Sequence, residues 1–209
     1  MRSSSAGSTV SSKSWVRMET PSHLALAERV VSVASELGVE SSLIGAAALA
    51  VHNFVRATED VDLGVSIQSF ERLRELEERL RAVGLKVRLT LPDEEDDLGG
   101  VIRVWDREDA DGEPIEPVEI VNFYNFMRPR RHPGIAAVRT AVPISPGASL
   151  RVVRLADLIA MKLATGSPWD KLDAVRLLEN NPGADADEIR TTCARYGLDA
   201  TFDDLVVSK

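Results

Sequence analysis

One cysteine, Cys193, is too few for an internal disulfide framework, which fits a protein of a reducing compartment. No run of about 18 apolar residues occurs, so the chain offers no candidate membrane span. The first 20 residues, rich in Ser, lack the apolar stretch of about 7–15 residues that a secretory signal needs. They read as a mobile tail, and the cytoplasm is the expected address. Positive charge is also scarce, with 25 Lys and Arg against 33 Asp and Glu and a formal net charge of −8. That balance argues against a broad non-specific grip on nucleic acid, which depends on many phosphate contacts, but it leaves room for a local basic patch.

What the chain does have is enough apolar content, 44% of 209 residues, for one cored domain with a helical appendage. Leu26, Val30, Val33 and Leu37 recur at helical spacing before Gly38, which predicts a first helix over residues 22–37. A short strand over 42–44 runs directly into a helix over 45–52, and a strand over 61–67 follows. Ser69 opens a charged helix over 70–83 whose Leu73, Leu76 and Leu80 form one stripe. Period-2 alternation marks strands over 85–89 and 101–105, and Val118 to Asn122 forms a third, acidic strand. From Arg154 onward three apolar stripes predict helices over 155–163, 169–179 and 187–196, separated by Gly166-Ser167-Pro168 and Asn181-Pro182-Gly183. The expected organisation is a tail over 1–20, a core over 21–150 and a helical portion over 151–209 packed on that core.

Chemistry concentrates at two places. Gly45 begins a helix straight from a strand end, where free backbone N–H groups suit phosphate. Asp60 and Asp62, spaced i, i+2, project from one strand face. Carboxylates placed so closely repel when ionised and call for a compensating cation or a raised pKa. Mg²⁺ meets that need, since it takes carboxylates together with substrate phosphates as ligands. Glu119, in a separate acidic strand, is the natural third ligand, and three carboxylates can hold two metal ions about 4 Å apart. The alternative for Asp60 and Asp62 is a pair of exposed residues on a polar strand face. Asp93-Glu94-Glu95-Asp96-Asp97 reads as a solvated loop rather than a metal trap.

The run from Ile44 to Val65, with Gly45 at the junction and Asp60-Val61-Asp62 after it, resembles the nucleotidyltransferase superfamily that includes DNA polymerase beta and kanamycin nucleotidyltransferase. More closely it is similar to the abortive-infection Eii toxin-like branch, as are the helix around Lys162 and the Asp170-Lys171-Leu172-Asp173 motif. The resemblance spans residues 43–173. It implies an α+β fold, a mixed sheet flanked by helices with a C-terminal helical portion. It also implies transfer of a nucleoside monophosphate from an NTP to an acceptor hydroxyl on RNA, protein or a small molecule, with an antitoxin as partner. Carried over by position, Gly45 and Ala46 hold the triphosphate, Asp60 and Asp62 bind Mg²⁺, and Glu119 is the third carboxylate. Lys162 contacts the nucleotide, and Asp170 and Asp173 form the branch's acidic helix.

Four positions depart from the pattern. Ala46 replaces a second Gly or Ser, Ser167 and Trp169 stand where the branch carries basic residues, and Glu119 is one methylene longer than Asp. The nucleotide-holding groups are thinned while the carboxylates survive, so the competing expectation is a catalytically degenerate member that binds a nucleotide or a partner. Arg56 and Thr58 either position the nucleotide phosphate or brace the strand carboxylates, with bracing the expected job, and His52 is expected to sit structurally at a helix end. The cluster Arg128-Pro129-Arg130-Arg131-His132, beside Phe123, Tyr124 and Phe126, reads either as a surface loop or as an acceptor-side contact for single-stranded nucleic acid.

Overall fold

A computed structural model describes residues 22–207; the tail expected over residues 1–20 lies outside them. The elements are α1 (Ser22–Glu36), β1 (Ser41–Leu43), α2 (Gly45–Val51), β2 (Val61–Val65), α3 (Phe70–Ala82), β3 (Lys86–Thr90), β4 (Val101–Trp105) and β5 (Val118–Asn122). They continue with α4 (Pro133–Thr140), β6 (Val142–Pro143), β7 (Arg151–Val152), α5 (Leu155–Ala164), α6 (Pro168–Asn180), α7 (Ala186–Ala194) and α8 (Asp199–Val207). The fold is α+β. Seven strands form one mixed sheet in the order β3-β4-β5-β2-β1-β7-β6. β7 falls just past residue 150 and pairs with β1, so the helical portion begins at Leu155.

The pairing that matters most for function lies at the centre of the sheet. β5 inserts between β4 and β2, antiparallel to the first and parallel to the second. Parallel neighbours cannot be joined by a tight turn, and here α3, β3 and β4 supply the crossover. Alternation then sorts the faces. Val61, Leu63 and Val65 of β2 and Val118 and Ile120 of β5 are buried, leaving Asp62 and Glu119 as register partners on the other face. Leu73, Leu76 and Leu80 of α3 are fully buried in the same core, each burial worth about 1.5–3 kcal/mol.

Asn122, fully buried at the end of β5, fixes that end of the sheet. Its Oδ1 accepts from Ile67 N at 2.8 Å and its Nδ2 donates to the carbonyls of Ile67 (3.0 Å) and Tyr124 (3.1 Å). Cys193 is buried in the core, and burial pushes its thiol up to about 11, so it is not a ready nucleophile. No helix of the described residues is long and apolar enough to cross a membrane.

Two helices were not foreseen. α4 follows directly from the basic cluster, with Pro133 in its first turn and His132 as N-cap, whose Nδ1 accepts from Gly134 N at 3.0 Å. α8 is short and buries only Phe202 fully.

Candidate active site

The three acidic residues singled out in the sequence converge. Each offers a carboxylate oxygen, and these oxygens lie within 4.8 Å of one another. Asp62 and Glu119 are placed by the β2–β5 register, and Asp60 by the bend that leads into β2. Thr58 Oγ1 donates to Asp60 Oδ1 at 2.6 Å and so orients it. All three are half-buried. Burial first, then the charges of Asp60 and Glu119, raise the Asp62 pKa from its ordinary 3.8 to about 6. Lys162 and Arg56 pull the other way but do not cancel these effects.

Gly45 explains how α2 approaches so closely. Its φ of +55° lies in the left-handed region. A Cβ there would come 1.9 Å from Asp62 Oδ2. Ile44 N donates to the Asp62 carbonyl at 3.0 Å, so backbone and side chain of Asp62 are both held by the β1–α2 junction. Ala46, the departure from the glycine pair, is 3% exposed.

A second charged group stands on the helical side. Lys162 Nζ pairs with Asp170 Oδ1 at 2.5 Å and Asp173 Oδ2 at 2.8 Å. Arg56 Nη1 donates to the same Asp173 oxygen at 3.0 Å, and Thr165 Oγ1 donates to Asp170 Oδ2 at 2.8 Å. The expectation that Arg56 braces the strand carboxylates is therefore corrected, because its guanidinium is taken by Asp173 and only its field reaches Asp62. Asp170 and Asp173, three apart on α6, share the face that meets Lys162. Trp169, at the start of α6, is 77% exposed.

His52 closes α2 with its Nε2 2.8 Å from the Val153 carbonyl, a structural contact. The basic cluster is only partly available. Arg130 pairs with Asp97 at 2.9 Å, and Arg128 donates to the Glu95 carbonyl at 3.3 Å, which pins the acidic loop. The adjacent rings are not free platforms. Phe123 is buried and stacked on His132 with centroids 4.9 Å apart, and Phe126 meets Phe70 edge-on. Burial lowers the His132 pKa, in keeping with its acceptor role at the α4 cap. Arg131 instead faces a groove of about 470 Å³ with Ile135, Arg139, Arg195 and Tyr196. Arg131, Arg139 and Arg195 have no carboxylate partner among the described residues.

Sequence reasoning passed over Arg103. It is the cross-strand partner of Glu119, with its Nε 3.6 Å from Glu119 Oε1. It also lines a cleft of about 490 Å³ with Thr58, Glu59, Asp60 and the segment 114–117. Only the register of β4 against β5 could have revealed it, and a sequence does not print register.

A mixed sheet with three convergent carboxylates, backed by a lysine-bearing helix, defines the nucleotidyltransferase class of fold. The sequence profile described as "Nucleotidyl transferase AbiEii toxin, Type IV TA system" matches residues 32–207, and the chain belongs to that family. No curated protein matches it. Among solved structures it is similar to the antibiotic-resistance factor ANT(2'')-Ia, with 17% identity, 83% of this chain and 90% of that chain covered, and a TM-score of 0.49. It is also similar to MenT4, a nucleotidyltransferase toxin from Mycobacterium tuberculosis, with 18% identity, 82% of this chain and 62% of that chain covered, and a TM-score of 0.43. An antigenic nucleotidyltransferase-like protein from Paracoccidioides brasiliensis is 14% identical over 87% of this chain and 92% of that chain, with a TM-score of 0.49.

Proposed function

We propose that this protein transfers a nucleoside monophosphate from an NTP to an acceptor hydroxyl in a Mg²⁺-dependent reaction, in the cytoplasm and under the control of an antitoxin. The observation that carries this reading is the set of three carboxylate oxygens within 4.8 Å. Hard oxygen donors at that spacing suit Mg²⁺, and the raised pKa of Asp62 marks a site short of positive charge. Asp60, Asp62 and Glu119 would hold the ions. When bound, two Mg²⁺ ions stabilise charge on the attacking and leaving oxygens.

The acceptor oxygen bonds to the α-phosphorus, the bond from that phosphorus to the bridging oxygen breaks, and pyrophosphate leaves. Glu119 takes the hydroxyl proton on its carboxylate. Gly45, packed against Asp62, and Ala46 after it would receive the triphosphate. Lys162 and Arg56 supply the positive field on that side, held by Asp170 and Asp173. The test is transfer of α-labelled NMP from each NTP into RNA, protein and small-molecule fractions. Label should enter one fraction in Mg²⁺ and none in EDTA. Metal-independent labelling would contradict the reading.

The arginine groove favours an anionic acceptor, and hence RNA among the three classes. Reversing Arg131, Arg139 and Arg195 to Glu should weaken binding of a single-stranded RNA at least tenfold, by order of magnitude, and lower the slope of log K against log salt by about 2. Nucleotide binding should be unchanged. An unaltered salt slope in filter-binding titrations would remove the groove from the acceptor path.

A further inference from the structure

The third carboxylate of the trio has a neighbour that the reaction above does not use. Arg103 sits opposite Glu119 in the β4–β5 pair, and the two side chains are 37% and 30% exposed. The Arg103 Nε atom is buried and makes no hydrogen bond. At 3.6 Å from Glu119 Oε1 it is within ion-pairing reach but beyond a good hydrogen bond. Across the strand on its other side stands Arg88, a like charge, whose guanidinium lies 5.8 Å from the Trp105 ring centroid. Arg103 therefore has one anionic partner, Glu119, among the described residues. That same Glu119 oxygen set lies within 4.8 Å of oxygens on Asp60 and Asp62.

We infer that Arg103 is a positioning residue that draws Glu119 to itself and so competes with the metal for it. The inference rests on the reading of the trio as a metal site. A guanidinium beside a carboxylate lowers the repulsion among three ionised acids when no cation is present. A dication entering the trio takes over that role and meets the guanidinium as a like charge, so Arg103 sets a threshold on metal loading. An unbonded Nε leaves Glu119 free to turn from guanidinium to metal without breaking a tight, bidentate pair.

The account gives a signature that a purely structural arginine would not. The probe is Mn²⁺ alone, titrated calorimetrically into the full chain without nucleotide. Arg103→Gln should tighten Mn²⁺ binding by about threefold to tenfold, whereas damage to the fold would weaken it. Arg103→Lys, which keeps the charge, should bind within about twofold of the wild-type protein. In a Glu119→Gln background the effect of Arg103→Gln should shrink, because the contested carboxylate is gone and only the like-charge repulsion remains. Unchanged or weaker Mn²⁺ binding by Arg103→Gln would overturn the inference, as would an equal tightening in both backgrounds. Failure of the wild-type protein to bind Mn²⁺ is a separate result, since it would strike the trio itself and the inference with it.

Discussion

Asp62→Asn is expected to lower nucleotidyl transfer by on the order of a thousandfold or more, since in the proposed reaction a central metal ligand would be lost from a site stabilising charge on two oxygens. The same change should make the metal-free protein more stable. Asp62 is half-buried beside two other carboxylates, and its pKa is raised to about 6. Between about pH 4 and pH 6 the native state holds a proton on Asp62 that the unfolded chain has released, so its contribution to stability falls as pH rises through that window. The native protein then carries a penalty of about 2–3 kcal/mol at pH 7.5. Asn removes the penalty. Urea unfolding in EDTA should find Asp62→Asn more stable than wild type at pH 7.5, with the difference closing near pH 4. Saturating Mg²⁺ should reverse the order at pH 7.5, because only the wild-type site gains from it. A variant less stable than wild type in EDTA at pH 7.5 would show that Asp62 serves the fold rather than a cation.

Lys162→Met should act in the opposite sense. Lys162 and Asp173 are 12% and 7% exposed in their side chains, and removing one partner from a buried pair strands the other. Arg56 remains on Asp173 at 3.0 Å, which places the cost near the low end of the usual range, at about 3 kcal/mol. For a chain of this size that lowers Tm by about 6–12 °C. Adding Asp173→Asn to Lys162→Met should recover part of the loss, because the more buried of the two carboxylates that Lys162 leaves behind is then uncharged. Full stability of Lys162→Met in thermal unfolding would mean that the ion-pair group contributes nothing to holding α5 against α6.

The residues of the site were legible because each breaks a pattern. Asp60, Asp62 and Glu119 are acids set in apolar alternation, and Gly45 stands at a strand end where a helix begins. Their meeting was expected, but the pairing that produces it, β5 running parallel to β2 after a long crossover, is a matter of register that the chain does not spell out. Arg103 was invisible for the same reason. Lys162, which the resemblance implies contacts the nucleotide, is held by Asp170 and Asp173, a pairing whose distances the chain does not give. α4 was hidden by composition. Pro133-Gly134 after an arginine run looks like a turn, yet a Cβ at Gly134 would come 2.4 Å from the Phe123 ring. Glycine there serves the packing of a helix start against an aromatic, which overrides its poor helix propensity. The aromatic and basic cluster divides in the fold, because Phe123 turns into the core while Arg131 lines an outward groove.

The most direct test of the account is calorimetric titration of the full chain with a non-hydrolysable analogue of each NTP, in Mg²⁺ and then in EDTA, alongside Asp60→Ala. The account predicts binding of at least one analogue in Mg²⁺ that disappears both in EDTA and in Asp60→Ala. Binding of equal strength in EDTA, or no binding of any analogue by the folded wild-type protein, would contradict it.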